Sequence, residues 1–369
     1  MCNIAGYTGS QRAAPILVEM MRREEFMDGG LCTGIATVHE GKIHLRKVIG
    51  DLDTLLRETD ALDLPGTVGI IHSRTANNCV SHAHPFTSED EQFALVLNGT
   101  GRDIRCEEFL LRKRDVMQSF LDRGFTVKTA YRPKKPKPHE TLSDGTCYHP
   151  SEVYALMIGD ALASLGRAPT NADLAHVTAE TLSTFPSDYV ILGIHAKLEG
   201  TIVVGDITRP MAAGSLPGET FLATTPMAFP DEVQRGSVVW IPPTTVALAT
   251  PQGLTMTGEE VRNVRVEQPD SRILGEVYRR LEALLVGKED APLSLYDFPI
   301  YTEWRDLWHR PYVDCIFQNP EAEGLLKPYA MTAYNALWCF HKEGRLHYAM
   351  SDYNGMPIRQ FWIDPKKEE

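Results

Sequence analysis

A cysteine stands directly behind the initiator methionine in Met1-Cys-Asn-Ile-Ala-Gly-Tyr-Thr8, and that position has a chemistry of its own. A small side chain there permits removal of Met1, which leaves the Cys2 thiol within reach of its own α-amine. The α-amine has an ordinary pKa of about 8, so free amine exists at neutral pH to take the thiol proton. One residue then supplies both nucleophile and base. Two other places could complete such a site. The apolar run Phe93–Leu97 leads into Asn98-Gly99, an amide and a backbone N–H suited to holding an oxyanion. The same dipeptide is a strong turn signal, and read alone it leaves both meanings open. Arg74, in His72-Ser-Arg-Thr-Ala-Asn-Asn78, could grip a carboxylate with two parallel hydrogen bonds or close a strand-end ion pair. His82 and His84 stand two apart, but no third ligand has a telling spacing, so neither a metal nor a cofactor is expected.

The elements that must position these residues can be read from periodicity. Ile4–Thr8 is a short buried strand that starts just after the thiol, with Gly6 where close packing is needed. Ala13–Met27 carries apolar residues at helical spacing and ends in Asp28-Gly29-Gly30. Strands are expected at Gly34–His39, Ile43–Ile49, Thr67–His72 and Phe93–Asn98, and helices at about Cys106–Arg123, Ser151–Leu165 and Asn171–Ser183, the last with Thr170 as N-cap. Strands then crowd together from Tyr189 to Thr257. Strands and helices in groups predict stacked sheets covered by helices rather than βαβ units. Beyond Gly258 come a helix at about Ser271–Val286 and a region holding four of the five tryptophans, Trp304, Trp308, Trp338 and Trp362. The division is therefore 1–258 for the main domain and 259–369 for an aromatic-rich extension.

Composition bounds the function. The net charge of -12 in 369 residues argues against a nucleic-acid binder, which concentrates Lys and Arg on one face. The basic stretch Arg132-Pro-Lys-Lys-Pro-Lys-Pro138 reads as an extended solvated loop. No apolar run is long enough to span a membrane, and the first residues lack the basic and apolar regions of a signal peptide. Seven cysteines without a CxxC pair point to a reducing, cytoplasmic setting.

Taken together, the Cys2 start, His72-Ser-Arg74, Ala83-His-Pro-Phe86 and Leu97-Asn-Gly99 resemble the class II glutamine amidotransferases. The glutaminase domain of glucosamine-6-phosphate synthase and the amidotransferase domain of glutamate synthase are the members they look like. Met21-Arg-Arg-Glu-Glu-Phe, Gly34-Ile-Ala-Thr-Val38, Arg209-Pro-Met and Phe221-Leu-Ala-Thr-Thr also fit, so the resemblance covers roughly residues 2–260. It implies an α+β fold, the four-layer αββα sandwich of the N-terminal-nucleophile hydrolases, with a smaller C-terminal extension. It also implies that Cys2 attacks the side-chain amide of glutamine, that Asn98 and Gly99 hold the oxyanion, and that Arg74 holds the substrate α-carboxylate. Thr75 and Asn78 would line the pocket, and Asp144, in Leu142-Ser-Asp-Gly145, is the candidate for the substrate α-amine.

The chain departs from the family in places. Thr75 stands where an aromatic is common, Met27-Asp28 replaces an Arg-Gly, and Pro150 occupies the place expected for the α-amine aspartate. About 110 residues after Gly258 are too few for a sugar-phosphate isomerase domain or a flavin-bearing barrel. The expected activity is hydrolysis of glutamine to glutamate and ammonia, with ammonia delivered to a separate synthase partner; a homo-oligomer is compatible with this. The alternatives are an N-terminal-nucleophile amidohydrolase acting on another amide, and a non-catalytic glutamine-binding protein.

Overall fold

The computed structural model describes residues 2–75, 80–99, 107–301, 303–309, 326–353 and 355–366. In chain order, β1 (Asn3–Thr8) leads through α1 (Ala13–Glu24) to the hairpin of β2 (Cys32–His39) and β3 (Lys42–Ile49). A short α2 (Leu52–Glu58) precedes β4 (Val68–Arg74), and β5 (Phe86–Thr87) precedes β6 (Phe93–Gly99). Three helices follow: α3 (Glu107–Asp122), α4 (Pro150–Ala163) and α5 (Asn171–Thr184). Next come β7 (Tyr189–His195), β8 (Ile202–Asp206), β9 (Ala212–Leu216) and β10 (Glu219–Ala223). After α6 (Asp231–Arg235) the strands β11 (Val238–Trp240), β12 (Thr245–Thr250) and β13 (Gly253–Glu260) finish the sheets. The remainder holds α7 (Ser271–Leu285), α8 (Tyr329–Lys342) and the hairpin of β14 (Leu346–Tyr353) and β15 (Met356–Ile363).

Two sheets stack face to face. One has the order β11-β9-β10-β1-β4-β2-β3, the other β13-β12-β8-β7-β6-β5. Their facing sides share a core that includes Ile4, Ile70, Val96, Leu192 and Ile202. The outer side of the first sheet packs on α1 and α2 through Tyr7, Leu17, Met21, Leu55 and Ile71. The outer side of the second packs on α3, α4 and α5 through Leu95, Met117, Ile158, Leu182 and Ile191. The architecture is the expected four-layer αββα sandwich. Strands such as β1 and β7 are buried along their whole length because both faces are covered. Gly6 suits that closeness, since a Cβ there would meet Ile202 Cδ1 at 3.1 Å and Leu192 Cδ1 at 3.2 Å and push those side chains aside.

Local signals explain several boundaries. Thr170 caps α5 through a capping box: its hydroxyl accepts from Asp173 N at 3.2 Å, and the Asp173 carboxylate accepts from Thr170 N at 2.8 Å. Helix α1 ends at Glu24, three residues short of the periodic pattern, because Glu25 is extended and Phe26 has φ +68. Among the elements left unassigned in the sequence, two show why. Helix α2 is short and begins on an Asp51 cap, and β9 reads Ala-Ala-Gly-Ser-Leu, a composition with little strand propensity. Pairing with β10 and β11 on its two sides makes it a strand.

The residues after β13 build a further core. Helix α7 presents Ile273, Val277, Leu281 and Leu285, one every four residues, against Leu337 and Phe340 of α8 and Phe361 of β15. Met27, from the loop after α1, belongs to the same core. Among the described residues no helix is long and apolar enough to cross a membrane.

Candidate active site

Side chains alternate along a strand, so parity decides which residues share a face. In β1, Ile4 faces the space between the sheets; Ile70 does so in β4, as do Ala94 and Val96 in β6. Cys2, His72, Arg74 and Asn98 continue those even-numbered rows. Because β1 and β4 are antiparallel, with Asn3 opposite Ser73, the start of β1 and the end of β4 lie at one end of the sandwich. The end of β6 closes on the same place from the second sheet, where the Cys2 backbone N–H donates to Asn98 Oδ1 at 3.0 Å.

Two residues predicted for catalysis are therefore directly bonded across the layer. Asn98 is fully buried, and its Nδ2 has no hydrogen-bond partner among the described residues. A buried amide N–H left unpaired costs about 1–3 kcal/mol, which a substrate oxygen would recover. Gly99 follows with φ +130, and a Cβ there would lie 2.3 Å from the carbonyl oxygen of Asp188, so only glycine fits. Asp188 is itself fixed by Arg209, whose guanidinium meets its carboxylate at 2.5 Å, and by the Thr208 hydroxyl. Cys2 is 9% exposed, and its thiol is 3.9 Å from Thr75 Oγ1, so Thr75 borders it as a small polar wall.

Arg74 is half-buried at the end of β4 and donates to the carbonyl oxygen of His82 at 3.1 Å. No carboxylate lies within ion-pairing distance of it among the described residues. Around it sits a wall of rings: His72 stacks on His84 at 4.0 Å, and His149 lies 5.6 Å from His84 and 5.3 Å from His82. Burial, and then the Arg74 charge, pull His72 down to about 3. Burial foremost also lowers His82, His84 and His149. The wall is uncharged at neutral pH, and Arg74 supplies the positive charge on it.

Of the other predicted site residues, Asn78 lies outside the described residues, as does Met1. Asp144 sits exposed in a turn, where its carboxylate accepts from Thr146 N at 2.9 Å and Thr146 Oγ1 at 2.7 Å. Those bonds belong to the turn and do not join it to Cys2 or Arg74.

Sequence reasoning passed over a supporting layer. Asn3 Oδ1 accepts from Asp28 N at 3.0 Å, and Ser73 Oγ accepts from Gly30 N at 2.7 Å while donating to Glu25 Oε1 at 2.8 Å. Glu25 is buried, and burial, partly offset by the Ser73 hydrogen bond, raises its pKa to about 7. In the sequence Glu24-Glu25 reads as the solvated end of an amphipathic helix. Only the buried strand neighbours Asn3 and Ser73, polar in an apolar run, hinted at a network.

The stacked antiparallel sheets, with Cys2 at one end of the layer between them, form the αββα sandwich. No family model matches the chain. Among solved structures, the Bacillus subtilis glutamine phosphoribosylpyrophosphate amidotransferase superposes with a TM-score of 0.52 at 18% identity, over 76% of this chain and 58% of that one. That likeness speaks for the fold. Similarity in sequence is found to curated proteins that use glutamine by name. Glutamine–fructose-6-phosphate aminotransferase (isomerizing) of Pyrococcus horikoshii is 36% identical over 126 residues, 33% of this chain and 21% of that protein. The Thermus thermophilus protein of the same name is 26% identical over 270 residues, 72% of this chain and 38% of that protein. The chain is similar to these glutamine–fructose-6-phosphate aminotransferases over part of its length. It spans between 21% and 38% of the length of these two relatives.

Proposed function

We propose that the chain hydrolyses glutamine to glutamate and ammonia through a thioester on Cys2, and passes the ammonia to a synthase partner. The observation that carries this is the bond from the Cys2 backbone nitrogen, the α-amine once Met1 is removed, to Asn98 Oδ1 at 3.0 Å, with the unpaired, buried Nδ2 of the same amide beside it. The bond aims the amine's lone pair away from Asn98, free to accept the thiol proton once Met1 is gone.

In the proposed sequence the thiol proton moves to the α-amine and the thiolate attacks the side-chain amide carbon of glutamine. The amide oxygen becomes an oxyanion held by Asn98 Nδ2 and the Gly99 N–H. Collapse of the tetrahedral intermediate breaks the carbon–nitrogen bond, and the leaving nitrogen takes the proton held by the amine, giving ammonia and a γ-glutamyl thioester. Water, losing a proton to the amine, attacks the thioester and releases glutamate and the thiol. Arg74 would hold the substrate α-carboxylate bidentately, with the neutral histidine wall leaving its charge unopposed. Thr75 would border the reacting carbon. Asp144 would serve the α-amine only if its turn moved toward the mouth. The likeness to aminotransferases that use glutamine supports ammonia transfer, and the residues after Glu260 are the natural surface for the protein that receives it.

The test is glutamate release from glutamine by the purified chain, with the mass of its amino terminus measured on the same sample. Turnover is expected from protein lacking Met1 and lost in Cys2→Ala. Turnover of other amides but not glutamine would favour an amidohydrolase. Glutamine binding without turnover, in protein lacking Met1, would favour a non-catalytic role.

A further inference from the structure

The loop from Glu25 to Leu31 is held from two sides. On the catalytic side, Asp28 N donates to Asn3, the neighbour of Cys2, while Gly30 N donates to Ser73 and Leu31 N to the Arg74 carbonyl oxygen at 2.9 Å. Gly29 presses against Ser73, where an added Cβ would lie 2.9 Å from its Oγ. On the other side the extension takes hold. The Tyr296 hydroxyl donates to the Asp28 carboxylate, and Met27 is buried in the core of α7 and α8. Arg359 of β15 donates its backbone N–H to Phe26 O at 2.7 Å, and its guanidinium to Arg23 O at 2.5 Å and Arg22 O at 3.1 Å. Met27 and Asp28 both bring their side chains to the extension.

We propose that Tyr296 and Asp28 are positioning residues, through which the C-terminal extension sets the place of Cys2 relative to Asn98. This rests on the reading of Cys2 as nucleophile. The path is short: Tyr296 fixes the Asp28 side chain, the Asp28 backbone fixes Asn3, and Asn3 is bonded in sequence to Cys2. The first two links are hydrogen bonds to buried residues, Asp28 at 1% exposure and Asn3 at 0%. Displacement of a reacting group by about 1 Å can cost on the order of a hundredfold in rate, so a partial loosening is enough to be measured.

Two readouts separate this role from general stability and from the proposed function. The first is the kcat for glutamine. The second is the rate at which iodoacetamide alkylates Cys2, located by mass spectrometry, which needs no turnover. Tyr296→Phe is expected to lower kcat about tenfold with KM changed less than about twofold, and to change the alkylation rate at least about threefold. Asp28→Asn should do the same, and the double variant should be no worse than either single one. Tyr278→Phe is the control. It removes another tyrosine–carboxylate bond within the extension, Tyr278 to Glu343 at 2.7 Å, that does not touch the loop. If Tyr296→Phe leaves both readouts at wild-type values, or if Tyr278→Phe shifts them equally, the inference fails. If the wild-type chain does not turn over glutamine but the alkylation rate still shifts in Tyr296→Phe alone, the positioning role stands and the proposed function falls.

Discussion

Replacing Asn98 with alanine removes two hydrogen-bonding groups from one place. The amide oxygen accepts from the Cys2 backbone nitrogen at 3.0 Å, and the amide nitrogen is buried without a partner among the described residues. If that nitrogen serves the tetrahedral intermediate, its loss should cost about 2.7–4 kcal/mol, a fall in kcat of about 10²–10³. KM should change little, because the interaction strengthens only as charge develops on the oxygen. Asn98→Asp sharpens the reasoning. It keeps an acceptor for the amine, so Cys2 stays aimed, but it replaces the donor with a negative charge facing the oxyanion. Its kcat should therefore fall at least as far as in the alanine variant. A carboxylate beside the amine also favours the protonated amine, so the acid limb of the kcat/KM profile should move to higher pH. The assay is initial-rate glutamate release at saturating glutamine, with the circular dichroism melt of each variant as a check on folding. Folded Asn98→Ala retaining kcat within about tenfold of wild type would refute the oxyanion role, since one donor in such a hole is worth more than that.

Arg74→Gln should lower kcat/KM by about 10- to 150-fold, chiefly through KM, the effect of losing about 1.5–3 kcal/mol of charge-assisted hydrogen bonding; an unchanged KM would remove Arg74 from the carboxylate site. Gly99→Ala forces a Cβ to within 2.3 Å of Asp188 O at φ +130, so it should cost activity and lower the melting temperature by several degrees, about 1–3 kcal/mol; a wild-type melt and rate would mean the backbone there relaxes. For His72 the folded pKa, about 3, lies below the unfolded value of about 6.5, so the unfolded chain binds more protons between those pH values. Its stability contribution is complete above about pH 6.5 and is lost as pH falls, by about 2 kcal/mol at pH 5, with His84 and His149 adding in the same direction. Urea midpoints at pH 7.5 and pH 5 measure this, and equal midpoints would show the ring wall titrating normally.

The features legible in the sequence are those written in period and at strand ends. Cys2, Arg74 and Asn98 each stand at the end of an apolar run, and of these the structure bonds Cys2 to Asn98. Residues whose role depends on tertiary closure were not legible. Ser73 and Glu25 are 48 positions apart and become partners only when α1 lies on β4. Glu25 loses its reading as a surface charge for the same reason. The β9 strand has a sequence of small residues that no local preference would make extended; its neighbours impose it. The end of α1 was misplaced because apolar periodicity continues to Met27, and Met27 is apolar for the core of the extension rather than for the helix. The basic, proline-spaced segment at 132–138 was legible, and Lys134, Lys135 and Lys137 are exposed.

The histidine wall and the α-amine divide the acid sensitivity of the protein between them. A protonated histidine beside Arg74 would add a second cation to a buried surface, and the cost of burying it is what depresses these rings. The wall can therefore be lined by groups with ordinary pKa values near neutrality and still present a constant field to a substrate carboxylate. Titration of activity near neutral pH must then come from elsewhere: the Cys2 amine freed of Met1, bonded to a neutral amide, is one group placed to supply it, and Glu25, raised to about 7 beneath the site, is another. It follows that the acid limb of kcat/KM should respond to Asn98→Asp, which charges the amine's partner. Loss of stability in acid should respond instead to substitutions in the ring wall. A single variant that moved both limbs together would mean that the wall and the amine titrate as one coupled system.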